Sequence, residues 1–81
     1  KVIIGGEIQS GEGLIAMSEV ATPEGVIRLA EPKSIEEYAR VLYSALRMSD
    51  SQNLEKVRII PPRGEGLAVA IRDRIYRAAA N

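Results

Sequence analysis

Apolar residues fall in four short runs, each bounded by turn residues: 2–4 before Gly5-Gly6, 14–17 after Gly11-Glu12-Gly13, 26–29 after Pro23-Glu24-Gly25, and 57–60 before Pro61-Pro62. Runs of three or four residues, near-continuous rather than alternating, predict strands covered on at least one face by helices. Arg28 and Arg58 interrupt the last two runs, and each is expected at a sheet edge or on a solvated face. Between these runs the pattern changes period. Ile35, Tyr38, Ala39, Leu42, Ala45 and Leu46 form an apolar stripe of roughly 120° at 100° per residue, opposite Glu36, Glu37, Arg40, Ser44 and Arg47. Ser34 with Glu37 three positions on is a capping box, Glu36 precedes Arg40 by one helical turn, and turn residues Ser49, Asp50, Ser51 and Asn53 end the helix near 48–50. A second helix is predicted from Gly64-Glu65-Gly66 to about Ala80, with Leu67, Ile71, Ile75 and Ala78 inward and Arg74 inside the same stripe, needing to snorkel or find a carboxylate.

The order strand, strand, helix, strand, helix predicts an α/β fold: a Rossmann-like small parallel or mixed sheet of 3–4 short strands with two main helices, in two or three layers with a right-handed crossover. The connector between 14–17 and 26–29 is too short for a helical crossover, which by loop length favours an antiparallel hairpin.

Composition narrows the chemistry. The 81 residues carry 11 Lys+Arg, 11 Asp+Glu, no His and no Cys, for a formal charge of zero. Neutrality argues against strong nucleic-acid or anionic-membrane binding. Without Cys and His, thiolate metal sites, thiol nucleophiles and imidazole bases are excluded. No run approaches the ~20 apolar residues of a membrane span. The chain reads as one domain, 1–81, expected to be cytoplasmic and a segment of a longer polypeptide, because Lys1 leads straight into an apolar run.

Three features carry candidate functions. The turn at Arg63, Gly64 and Gly66 has the strand-to-helix setting of an anion or nucleotide site, although Val69 stands where a dinucleotide fingerprint requires Gly and Glu65 occupies the phosphate position; a plain helix start is the competing reading. Arg72, Arg74 and Arg77 with Tyr76 form a basic patch, a possible RNA contact or simply cations at a helix C-terminus. Val69, Tyr76 and Ala80 give the second helix another apolar face, either buried within the domain or a docking surface for another domain. Glu36 and Glu37 diverge by about 100° and do not converge as an acid/base pair.

Over 35–47 and again over 64–79, together with the Leu46, Arg47 and Asp50 exit between them, the chain resembles the C-terminal domain of two-domain L-threonylcarbamoyladenylate synthases. The resemblance covers about residues 13 to 80, and residues 1–12 have no clear counterpart. It implies a Rossmann-like accessory or regulatory domain, itself non-catalytic and without a metal or cofactor of its own. The catalytic domain of the same polypeptide, a nucleotidyltransferase, would use ATP, and with it magnesium, to join threonine and bicarbonate into threonylcarbamoyl-AMP for tRNA modification. The tRNA modification machinery would then be an indirect partner. The family's Lys-x-Arg and Ser-x-Asn signatures belong to the catalytic domain, and Lys56-Val57-Arg58 and Ser51-Gln52-Asn53 are coincidental echoes of them. The family topology implies that 14–17 and 26–29 run parallel, and the reading leans that way. The alternative is a small nucleotide- or RNA-binding α/β module acting through the Gly64 to Gly66 turn and the arginine patch.

Overall fold

The structure, a computed structural model, describes residues 1–80. Its elements are β1 (Val2–Ile4), β2 (Gly13–Ile15), β3 (Ile27–Ala30), α1 (Ile35–Ser51), β4 (Val57–Ile59) and α2 (Leu67–Ala80). The four strands form one sheet in the order β1-β4-β2-β3, and every pairing is parallel. The loop-length expectation of a hairpin between β2 and β3 is therefore wrong. Its physical reason is strand length. A three-residue strand spans only about 10 Å, so the connector of residues 16–26 returns to the start of β3 without a helix.

Both helices lie on one face, making two layers. Ile15, Val57 and Ile59 of the sheet meet Tyr38, Leu42, Ala45, Ile71 and Ile75 of the helices in a single core. α1 packs on β3 and β2, α2 on β1, and the helices touch each other. Ser34 caps α1 by accepting from the Glu37 amide at 3.1 Å, as predicted, while the Glu37 carboxylate accepts from the Lys33 amide at 2.8 Å, one residue before the Ser34 amide that a capping box would use.

α2 is rotated relative to its predicted face. Ala68, Ile71 and Ile75 are buried whereas Leu67 is 42% exposed and Arg74 lies in solvent, with no carboxylate partner among the described residues. The inward arc is turned by about 40° toward Ala68; a methyl group there lets α2 approach its neighbours closely, and Arg74 has no need to snorkel.

Gly13 sits on the core side of β2, fully buried. A Cβ at this position would stand 2.7 Å from Leu29 Cδ1 and 2.8 Å from Leu54 Cδ1. The pairing of β2 with β3 slips after Leu14, leaving Leu29 as the additional residue turned into the core.

Candidate functional site

Across the face of the sheet away from the helices, the register places Ile3, Arg58, Leu14 and Arg28 in one row. Leu14 is completely buried there, and each arginine pins one of the two helix-free connectors, residues 5–12 and 16–26. Arg58 is 7% exposed. Its Nε donates to Glu12 Oε1 at 2.9 Å, one terminal nitrogen to Glu12 Oε2 at 2.8 Å, and the other to the Gly5 carbonyl at 2.6 Å. Glu12 also accepts from the Gln9 amide. The guanidinium fork, the Gln9 amide and the nearby charges of Arg58 and Lys56 hold the Glu12 carboxyl at about 2, against its ordinary 4.5 and against the opposing effect of burial. The same carboxylate raises the Arg58 pKa.

Arg28 orders the β2–β3 connector. Its Nε donates to the Ala30 carbonyl, one terminal nitrogen to the Val20 carbonyl and the Thr22 hydroxyl, the other to the carbonyls of Ala16 and Met17, all between 2.7 and 2.9 Å. All five guanidinium donors are thus used. The expectation of a sheet edge or a solvated face holds for Arg28, which lies on the edge strand β3, and is corrected for Arg58, which is buried in the interior strand β4. A guanidinium at a strand centre needs acceptors, and the connectors supply them.

This arrangement shapes a cleft of about 400 Å³ at the carboxyl end of the sheet, lined by Met17, Glu19, Val20, Ile35, Ile60, Pro61, Pro62 and Arg63. Below it the Tyr38 hydroxyl donates to the Ile60 carbonyl at 2.9 Å. Burial pushes the Tyr38 phenol well above its ordinary 10, against the attraction of the Arg28 charge.

Of the residues singled out from the sequence, Arg63 forms part of the cleft wall. Gly64 and Gly66 follow it in solvent with φ of +116° and +64°, conformations that suit glycine. An anion on this turn would meet the Arg63 charge but also the Glu65 carboxylate. Two members of the arginine patch are already engaged: Arg72 donates to the Pro62 carbonyl and Arg77 pairs with Asp73. Val69 and Tyr76 are 51% and 56% exposed, and Ala80 is exposed beside them. They stand about 130° round α2 from its buried arc, so this second apolar face is left open by the domain's own packing. Glu12, Arg28, Arg58 and Tyr38 were missed as site-forming residues; the signal available was an arginine inside an apolar strand, which demands a buried acceptor. Lys56-Val57-Arg58 has Arg58 committed to Glu12, in keeping with a structural role. Among the described residues no group of three or more acidic, His or Cys side chains could hold a metal, and no helix is long and apolar enough to cross a membrane.

No curated protein and no solved structure matches the chain. A family model described as threonylcarbamoyl-AMP synthase, C-terminal domain, matches residues 4–80. The match takes in most of the N-terminal stretch for which the sequence resemblance offered no counterpart, and it reaches across the cleft, both pinned connectors and the open face of α2. The chain therefore belongs to the threonylcarbamoyl-AMP synthase C-terminal domain family.

Proposed function

We propose that this domain is the non-catalytic accessory part of an L-threonylcarbamoyladenylate synthase acting in tRNA threonylcarbamoyladenosine modification, and that it docks on the catalytic domain of the same polypeptide through Val69, Tyr76 and Ala80 to cap or regulate access to the catalytic site. In this reading ATP and magnesium serve the catalytic domain, and the machinery that modifies tRNA is reached only through it. The observation that supports it is the open apolar face of α2, with a tyrosine 56% exposed on a helix whose opposite side already fills the core. Half-exposed aromatics of this kind are favoured at protein interfaces. The composition agrees, since a chain with neither His nor Cys lacks the usual general base and thiol nucleophile. The test is pyrophosphate release from ATP in the presence of threonine and bicarbonate. The 81-residue chain alone is expected to release none, and turnover by it would overthrow the proposal. Resonance shifts confined to residues 63–67 on adding ATP alone would favour the nucleotide-binding alternative.

A further inference from the structure

We infer that the cleft between the carboxyl ends of β2 and β4 binds a zwitterionic α-amino acid with a bulky apolar side chain. The chain leaves β2 toward β3 and leaves β4 toward α2, which packs on β1 at the other side of the sheet. Two adjacent parallel strands whose continuations diverge open a crevice at their carboxyl ends, where α/β sheets take ligands. The cleft of about 400 Å³ lies there.

Its walls select the ligand's chemistry. Met17, Val20, Ile35 and Ile60 are half-buried apolar side chains, and Pro61 and Pro62 offer no N–H groups. The backbone acceptors at its floor are engaged: the Ile60 carbonyl accepts from Tyr38 and the Met17 carbonyl from Arg28. Recognition of polar groups then falls on Glu19 and Arg63, opposite charges in the same lining. The two ion pairs of the described residues are Arg58–Glu12 and Arg77–Asp73, so neither Glu19 nor Arg63 has an ion-pair partner among them. A ligand ammonium answers Glu19, its carboxylate answers the Arg63 fork, and a side chain of leucine or phenylalanine size lies along the apolar wall. The cleft uses residues other than the α2 face, and this inference does not rest on the docking proposal.

The experiment is an amide-resonance titration of the 81-residue chain with L-phenylalanine and L-leucine, with N-acetyl-phenylalanine amide and L-threonine as comparisons. The catalytic domain is not present, so its result leaves the docking proposal untouched. Saturable shifts at residues 17–20, 35 and 60–63 are expected, with a dissociation constant on the order of 1 mM for so small a ligand. Glu19→Gln and Arg63→Gln, both at exposed positions, are each expected to weaken binding about fivefold without changing Tm. Equal binding of the uncharged amide, tighter binding of threonine than of phenylalanine, or no shift at about 20 mM ligand would each overturn the inference.

Discussion

Arg58 and Glu12, forty-six positions apart in the chain, meet as a bidentate pair on the helix-free face of the sheet, with 2.9 and 2.8 Å contacts and almost no solvent. The pair joins the central strand β4 to the connector that leads into β2, and its third contact, to the Gly5 carbonyl, fixes the other end of that connector. Removing one charge would leave the other buried without a counter-charge.

Glu12→Gln is therefore expected to lower Tm by more than about 10 °C, read by thermal melts at neutral pH. Acid gives a second signature. The folded carboxyl titrates at about 2 against 4.5 for the free group, so the unfolded chain binds the proton first, and stability falls as the pH drops from about 4.5 toward 2. The variant is expected to lack most of that slope; an unchanged slope would place the acid sensitivity elsewhere.

Arg28 fills all five donors with connector and strand acceptors. Arg28→Lys keeps the charge but loses the planar fork, which should cost about 2 kcal/mol, or roughly 8–16 °C in Tm. Hydrogen exchange over residues 16–26 should accelerate more than in α1. Uniform acceleration across the domain would contradict a local role.

Tyr38→Phe deletes the hydroxyl that donates to Ile60 and is expected to destabilise by about 1–2 kcal/mol. Because burial raises the folded phenol above its ordinary 10, the native state holds this proton longer than the unfolded chain does, and wild-type stability declines as the pH rises beyond 10. Melts between pH 9 and about 11 should show a shallower decline in the variant.

Gly13→Ala would drive a methyl group against Leu29 and Leu54, at a cost of about 1–3 kcal/mol. Adding Leu54→Ala to that variant should recover part of the loss, because Leu54 is only partly buried. Additive losses would mean that the strain falls on Leu29 alone.

The elements whose signals are local were legible in the sequence. α1 was marked by Ser34, Glu37 and a single apolar stripe, and the four strands by turn residues at one end of each apolar run. The parallel pairing of β2 and β3 contradicted loop length, because that rule assumes strands longer than three residues, and it was the family resemblance that pointed the right way. The α2 face was read about 40° out, since Ala68 carries too little hydrophobic weight to mark an inward position. The partnership of Arg58 with Glu12 left no local trace: it depends on β4 lying beside β2, which only the sheet order determines. Arg63, Val69 and Tyr76 were visible as exposed chemistry, whereas the cleft beside Arg63 is assembled from three separate stretches of chain.

The most direct test of the docking account is the affinity of this chain for the catalytic domain of its synthase, measured by calorimetry with the wild type and with Tyr76→Ala. The account predicts a saturable complex that the substitution weakens at least about tenfold while Tm of the free chain moves by less than about 2 °C. A Tyr76→Ala chain that binds as tightly as the wild type, or that loses its own stability in proportion, would contradict it.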